Sequence, residues 1–178
     1  YAMERAAQLQ QEIITAYNSY AFHTIYQKLH NYCVVDLGGF YLDIIKDRQY
    51  TTKSDSVARR SAQTALYHII EAFTRWITPI LSFTADELWE QIPGDRSGSV
   101  FTAEWYDLPR LPKDAAMAGD YWALISEVKD AVNKVIEAKR GQGVIGGSLE
   151  AAVTLCCEGA LAGQLQALAD ELRFVLIS

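Results

Sequence analysis

Apolar side chains recur every three or four residues along the first half of the chain, which is the spacing of an amphipathic helix. One stripe runs from Ala2 to Tyr17 and stops at Asn18-Ser19, a polar pair typical of a helix end. A second stripe contains Gly38-Gly39, where each glycine costs about 1 kcal/mol relative to alanine and indicates a bend or a close approach. The pattern predicts two successive helices. The second stripe consists of Phe22, Tyr26, Leu29, Cys33, Leu37, Phe40 and Ile44.

A third helix is predicted after a polar, β-branched loop, QYTTKSDS, that offers Ser54 or Ser56 as its N-cap. On its polar side, Glu71 and Arg75 are spaced as an i,i+4 ion pair, and Pro79 should end or kink it. The stripe of this helix is Ala58, Ala62, Ala65, Ile69, Phe73, Trp76 and Ile80.

A short fourth helix is predicted to open at the sequence Thr84-Ala-Asp-Glu87, which has the form of a capping box, and to end near Pro93-Gly94. Residues 95–119 then have linker composition, rich in glycine and proline, with one candidate strand at Val100–Trp105. The helical pattern therefore breaks near residue 112.

Beyond the linker the pattern changes to an alternation of helix and strand. We expect a mainly α protein, with a helical bundle at residues 1–112 followed by a small α+β unit at residues 113–178. The predicted elements of that second unit are a helix over Trp122–Val135, a strand over Leu149–Leu155, a helix over Leu161–Leu172 and a strand over Phe174–Ile177.

Composition excludes several classes of protein. Half of the 178 residues are apolar, yet no run approaches the ~18–20 residues of a membrane helix, and no signal peptide is evident. The net charge of −6 argues against indiscriminate coating of nucleic acid. Three cysteines, Cys33, Cys156 and Cys157, form neither a disulfide framework nor a zinc motif, so we expect reduced thiols in a cytoplasmic protein. The chain begins at Tyr1, which suggests a piece of a longer protein.

No catalytic or metal-binding residue is predicted. The segment Gly141–Gly146 has the form G-x-G-x-x-G, but a helix precedes it and a strand is predicted after it, the reverse of a dinucleotide-binding context. The three histidines lack metal-ligand spacing, and no nucleophile elbow occurs. Asp43 and Asp47 lie one helical turn apart, which favours an ion-pair network over an acid/base pair.

One segment carries basic and aromatic residues together. Residues 42–60 hold five basic and three acidic side chains, whereas residues 61–112 are acidic overall. Basic residues and a tyrosine at a helix end, followed by paired arginines at the next helix start, suit phosphate contacts and base stacking. The alternative is structural, with Asp43 and Asp47 neutralising Arg59 and Arg60. Both interpretations remain open from these residues alone.

The same residues carry a resemblance to isoleucyl-tRNA synthetases, which are class I aminoacyl-tRNA synthetases. The resemblance rests on FYLDIIKDRQY, SVARRSAQTALYHI, PILSFTADELW, VNKVIE, GGSLEAAVTL and DELRFVLIS, in the order of the family and over nearly the whole chain. Valyl and leucyl enzymes share the helical-bundle plan, but YLDIIKDR followed by RRSAQTAL looks isoleucyl. The signature motifs of catalysis, His-Ile-Gly-His and Lys-Met-Ser-Lys-Ser, are absent, as are the editing domain and the cysteine-rich zinc module.

The resemblance implies an anticodon-binding helical bundle of a bacterial-type enzyme that attaches isoleucine to its tRNA using ATP and Mg²⁺, with zinc only in parts not present here. The expected partners are tRNA for isoleucine and the catalytic domain of the same chain, with no membrane and no DNA. The fragment itself is not expected to be an enzyme. Two rivals are a helical protein-interaction module and an enzyme with a cryptic pocket. The candidate RNA-binding residues are Lys46, Arg48, Tyr50, Lys53, Arg59 and Arg60, with Lys139 and Arg140 as a weaker second set.

Overall fold

A computed structural model describes residues 1–96, 98–110, 117 and 119–176. The chain forms two compact units, Tyr1–Pro112 and Lys113–Ser178, which are treated separately below. Helices dominate both units, which confirms the mainly α prediction. No strand occurs among the described residues, so the α+β prediction for the second unit is wrong.

The described residues of the first unit form five α-helices, with a π-helical segment between the second and third. The buried core is drawn mainly from α1, α2, α4 and α5, with Tyr32 of the π segment and Val100 and Leu108 from beyond α5, and it includes the fully buried Trp76. The indole Nε1 of Trp76 donates to Gln10 Oε1 (2.8 Å), and Gln10 Nε2 donates to the Tyr106 carbonyl (3.1 Å), so the polar groups of these two buried side chains are paired. The elements are α1 (Ala2–Asn18), α2 (Phe22–Asn31), the π segment (Tyr32–Tyr41), α3 (Leu42–Tyr50), α4 (Val57–Ile77), α5 (Ser82–Gln91) and a 3₁₀ turn (Val100–Thr102).

The buried row that runs from α2 into the π segment differs from the second predicted stripe. Phe22 and Tyr26 are exposed and Cys33 is also exposed, so these three assignments are wrong. The first two lie in α2, where the buried residues are Ile25 and Leu29, so the stripe was placed on the wrong face there. From Tyr32 onward the wider π turns alter the helical period, and a stripe of apolar residues alone could not include Asp36. The buried positions are Ile25, Leu29, Tyr32, Asp36, Phe40 and Ile44.

Asp36 is the charged member of that buried row, and α1 neutralises it. The Arg5 guanidinium donates to both carboxylate oxygens, from Nε to Oδ1 at 3.0 Å and from Nη2 to Oδ2 at 3.2 Å. The Tyr1 hydroxyl donates to Oδ1 at 2.7 Å. A bidentate arginine of this kind offsets the cost of burying a carboxylate and fixes the register of α1 on the π segment.

The two glycines lie within the π segment. A Cβ at Gly38 would lie 3.1 Å from the Cys33 carbonyl oxygen, and one at Gly39 would lie 3.2 Å from that of Val34. Each carbonyl is five residues earlier, which is the hydrogen-bonding interval of a π-helix. The glycines therefore permit a close backbone approach.

The ends of α4 follow local sequence signals, whereas the start of α5 does not. The Ser56 side chain accepts from the Arg59 N–H (3.3 Å), which confirms the N-cap, and α4 ends at Ile77, two residues before Pro79. The predicted capping box is wrong because α5 begins at Ser82, before Thr84, without a side-chain cap. The Ser82 hydroxyl instead donates to the Thr78 carbonyl (3.0 Å), which continues the turn leaving α4.

Glu71 is the charged centre of the first unit and is only 2% exposed. The predicted Glu71–Arg75 pair is present (Nη1–Oε2, 2.7 Å), but Arg96 also binds both carboxylate oxygens, a partner that the sequence pattern did not reveal. Both guanidinium groups lie over the Trp89 ring, at 4.7 and 4.6 Å from its centroid. Burial by itself raises the pKa of Glu71, but hydrogen bonds from Arg96, Arg75 and Tyr67 outweigh it and lower this pKa to about 2.

The predicted strand at Val100–Trp105 is also wrong. Residues 100–102 form the 3₁₀ turn and residues 103–110 have no regular structure. The Glu104 carbonyl accepts from Arg75 Nε (2.7 Å), and the Tyr106 hydroxyl pairs with His68 Nδ1 (2.7 Å). The carbonyls of Glu104 and Tyr106 therefore accept from Arg75 of α4 and Gln10 of α1 instead of from a neighbouring strand.

The second unit is built around one long helix. The Lys129 ammonium donates to the Val175 carbonyl (2.8 Å) and the Tyr121 hydroxyl to the Gln164 carbonyl (3.0 Å), which tie the later helices to the long one. Its elements are α6 (Asp120–Gly141), a 3₁₀ turn (Ser148–Glu150), α7 (Gly159–Gln166), a second 3₁₀ turn (Ala169–Glu171) and α8 (Leu172–Leu176).

Both strands predicted for the second unit are replaced by other structure. Phe174–Leu176 belongs to α8, and Ile177 lies outside the described residues. Ala151, Val153 and Leu155 do alternate in burial with their neighbours, as the pattern required, and they pack beside Val132 and Ile136 of α6. Alternation thus identified these three inward-facing side chains correctly, but it was wrong for Leu149, the first predicted member of the strand, which is 87% exposed. It did not predict that they pack on a helix instead of beside a second strand.

Acid should weaken the first unit through Glu71. A carboxyl group with a lowered pKa stabilises the fold above its unfolded pKa, and that stability is lost as pH falls from about 4.5 to about 2. We expect a loss of about 2–3 kcal/mol over this window in thermal unfolding monitored by circular dichroism. In Glu71→Gln this slope should shrink, whereas the exposed Glu12→Gln should retain it. Equal slopes in all three proteins would contradict the assignment.

Two glycine-to-alanine variants should change the free energy of unfolding in opposite directions. Gly163 is a helical glycine of α7 with no heavy atom within 4 Å of an added Cβ, so Gly163→Ala should stabilise its unit by about 0.5–1 kcal/mol. Gly38→Ala gains the same helix propensity but must displace the Cys33 carbonyl, so we expect destabilisation. Urea unfolding of the two variants measures both effects. A Gly38→Ala protein as stabilised as Gly163→Ala would show that the π segment tolerates a side chain there.

Candidate nucleic-acid interface

The loop between α3 and α4 is a tightly bonded connection. The Thr52 hydroxyl donates to the Arg48 carbonyl (2.6 Å), and the Ser56 hydroxyl donates to Thr52 Oγ1 (3.1 Å). The Arg59 Nη1 donates to the Thr52 carbonyl (3.1 Å). These bonds join the end of α3 to the first turn of α4, so the basic residues of the loop are presented on a fixed backbone.

The paired arginines have different surroundings. Arg59 is half-buried and bonded to the loop, whereas the Arg60 side chain is exposed. Within the described part of the chain, neither forms an ion pair with Asp43 or Asp47, the partners that the structural alternative required. Arg59 does have a structural contact, but its partner is a backbone carbonyl. Arg60 is the better placed of the two for a phosphate.

The other candidates near this loop are mostly exposed. Lys46 bonds Asp43 at 2.7 Å on the surface, and this hydrogen bond raises the pKa of the lysine. Tyr50 is 86% exposed and Lys53 is exposed, whereas Arg48 is half-buried. The structure thus brings the candidates of residues 46–60 together around one loop. We call Lys46, Arg48, Tyr50, Lys53, Arg59 and Arg60 the basic loop.

Lys139 and Arg140 lie in the second unit, in the last turn of α6. Arg140 pairs with Glu137 at 2.6 Å, and both basic side chains are exposed near a helix C-terminus, where positive charge is favourable. The following Gly143 has φ of +72°, and Val144 N–H donates to the Lys139 carbonyl (3.0 Å), which caps the helix.

The glycine-rich segment after α6 does not have the geometry of a dinucleotide-binding loop. It follows a helix, as predicted, but a 3₁₀ turn replaces the predicted strand start. The Gly146 N–H donates to the Glu150 carboxylate (2.8 Å), so an acidic side chain occupies the backbone donor that a phosphate would need.

Sequence reasoning missed a groove of about 810 Å³ in the first unit, beside the basic loop. Its lining is mostly apolar, and Arg60 stands at its edge. No short motif signals the groove, because its two walls come from separate helices. The lining residues are Cys33, Leu37, Leu42, Arg60, Gln63, Thr64, Leu66, Tyr67, Ile69, Ile70, Phe73 and Pro93.

Neither a helix suited to spanning a membrane nor a cluster of metal ligands occurs among the described residues. None of the helices there combines the length and hydropathy of a membrane span. In the same part of the chain, no three histidine, cysteine or acidic side chains are grouped as metal ligands. Cys33 and Cys156 are exposed and Cys157 is half-buried, all as free thiols.

The chain is similar in sequence to known proteins over nearly its whole length. Residues 1–155 match the family model described as the anticodon-binding domain of tRNA ligase. The chain is 64% identical over 177 residues to an isoleucine–tRNA ligase of Saccharophagus degradans, covering 99% of this chain and 19% of that protein. It is 59% identical over 179 residues to the enzyme of a Marinomonas species, covering 100% and 19%. The chain therefore spans about a fifth of the length of these relatives.

Replacing Arg59 and replacing Arg60 with alanine should lower the free energy of unfolding by different amounts. Arg59→Ala removes the bond to the Thr52 carbonyl and should lower the free energy of unfolding by about 1–2 kcal/mol. Arg60→Ala, on the exposed side of the same turn, should change it by less than about 0.5 kcal/mol. Urea unfolding of the two variants is the measurement. Equal destabilisation would assign both arginines to the fold.

Proposed function

The chain belongs to the anticodon-binding domain family of tRNA ligases, and from this premise we propose that it docks the anticodon arm of tRNA for isoleucine within an isoleucine–tRNA ligase. The family match over residues 1–155 is the observation that carries the proposal. The basic loop supports it, because it is held by side-chain hydrogen bonds and presents the exposed Lys46, Lys53 and Arg60 on a protein of net charge −6. A local basic patch on an acidic protein suits one specific RNA contact better than general attraction.

The residues of the basic loop divide into three roles, which are phosphate contact, stacking and support of the loop. Lys46, Lys53 and Arg60 reach phosphates, and the exposed Tyr50 offers a stacking face beside them. Arg59 holds the loop and positions its neighbours. Lys46 exchanges its surface bond to Asp43 for a phosphate at little cost, because such exposed pairs are weak. Lys139 and Arg140 form a second, weaker set on the other unit, and Arg48 lies beneath the loop surface.

In this proposal, catalysis is carried out by the rest of the parent ligase. The catalytic signature motifs are absent from these 178 residues, so the catalytic domain would bind ATP and Mg²⁺ and attach isoleucine. Zinc, where the parent has it, would lie in a terminal module outside this chain. The fragment, in the cytoplasm, orients the tRNA and does not catalyse any step.

A titration tests the proposal directly. The chain is titrated with tRNA for isoleucine and with the same tRNA carrying an altered anticodon, at two salt concentrations. We expect tighter binding of the native anticodon that survives moderate salt. Equal binding that salt abolishes would mean a general phosphate contact. Absence of binding to either would favour a protein-interaction module.

Charge variants assign the contact to the basic loop. Each lost phosphate contact should reduce the slope of log affinity against log salt by roughly 0.7–0.9. We expect the double variant Lys53→Ala/Arg60→Ala to lose about two such contacts without a change in melting temperature. The exposed Arg110→Ala is the matched control and should leave the slope unchanged. A slope that falls equally in the control would remove the loop from the interface.

A further inference from the structure

Four aromatic side chains meet at the turn between α1 and α2, where they form what we call the aromatic cluster: Tyr17, Tyr20, Phe22 and Trp105. Tyr17 lies edge-on to Phe22 and to Trp105, with centroids 6.2 and 6.1 Å apart, and Tyr20 lies edge-on to Phe22 at 6.1 Å. Tyr20 is 79% exposed, Phe22 48% and Trp105 46%. Edge-on rings leave ring faces available to another molecule.

The backbone of Tyr20 is strained, and burial does not compensate for this. Its φ is +56°, in the left-handed region. Tyr20 N–H donates to the Tyr17 carbonyl (3.0 Å) and Ala21 N–H to the Ala16 carbonyl (2.8 Å), which is a Schellman cap with Tyr20 at the position where glycine is usual. A non-glycine residue there is destabilising. A strained tyrosine whose ring points into solvent indicates a role other than folding.

Trp105 is held in place although its segment has no regular structure. The carbonyl before it, from Glu104, accepts from Arg75 (2.7 Å), and the carbonyl after it, from Tyr106, accepts from Gln10 (3.1 Å). The indole is therefore fixed by its backbone on both sides while remaining half-exposed. A fixed aromatic ring loses little conformational entropy when a ligand stacks on it.

The aromatic cluster and the basic loop lie at opposite ends of α1. Lys28 of α2 pairs with Glu12, and Asp36 of the π segment pairs with Arg5, so the chain returns antiparallel along α1. The α1–α2 turn is thus at the C-terminal end of α1, and α3 continues past its N-terminal end toward the basic loop. A helix of 17 residues is about 25 Å long, so the two surfaces are at least about that far apart.

We propose that the aromatic cluster is a second RNA contact, which stacks unpaired bases of the anticodon loop while the basic loop binds phosphates of the stem. This inference rests on the proposed function. Phosphates are charged and require cations, whereas bases are flat and stack on aromatic rings, so the two surfaces match the two parts of an RNA arm. An RNA arm lying along the first unit would place the phosphates of its stem at the basic loop and the bases of its loop at the aromatic cluster.

The test uses the chain and an RNA hairpin with the sequence of the anticodon stem-loop of tRNA for isoleucine. Trp105→Ala should weaken hairpin binding roughly 5- to 150-fold, the range for loss of one base stack, with an unchanged salt slope. Tyr20→Gly should weaken binding in the same way and raise the melting temperature, because glycine relieves the strain. A structural role for Tyr20 predicts a lower melting temperature instead.

Controls separate this inference from the proposed function. Tyr26→Ala removes another exposed tyrosine of α2, outside the aromatic cluster, and should leave hairpin affinity unchanged. If the wild-type chain binds the hairpin and both cluster variants bind it equally well, the inference is overturned, the proposed function stands, and a protein partner becomes the candidate occupant. If the wild-type chain does not bind the hairpin or intact tRNA, the proposed function itself fails.

Discussion

The buried carboxylate of Glu71 is the interaction on which the first unit depends. It binds Arg75 from its own helix and Arg96 from beyond α5, and both guanidinium groups lie against Trp89. Arg75 then extends the network by donating to the Glu104 carbonyl. One charge therefore joins α4, α5 and an irregular segment, and replacing Glu71 would leave two guanidinium groups without their shared carboxylate.

Some local signals in the sequence predict the structure correctly, although the capping box at Thr84 does not, and contacts between distant residues are not predicted at all. Ser56 and Pro79 act within one helical turn, so the bounds of α4 were predictable. Arg96 joins Glu71 across 25 positions, and no periodicity reports such a contact. Ala151, Val153 and Leu155 show the same limit, because alternation gives the facing of side chains but not the partner of the backbone.

One part of the candidate RNA interface could be predicted from the sequence and another part could not. The basic loop is contiguous in sequence, so its charge could be recognised from the residues, although only the structure distinguishes half-buried Arg59 from exposed Arg60. The aromatic cluster combines the α1–α2 turn with Trp105 from far along the chain. The left-handed backbone of Tyr20 also marks this cluster, but the presence of a tyrosine in the sequence does not predict that conformation.

The π segment has a consequence for the direction in which α3 presents its side chains. Each residue of an α-helix turns the chain by about 100°, and wider π turns change how much rotation accumulates between α2 and α3. The segment thus sets an angular offset between the helix held against α1 and the helix that leads to the basic loop. Deleting one residue near Gly38-Gly39 would rotate α3 by about 100° about its own axis. Every later contact of the chain would then need a new register.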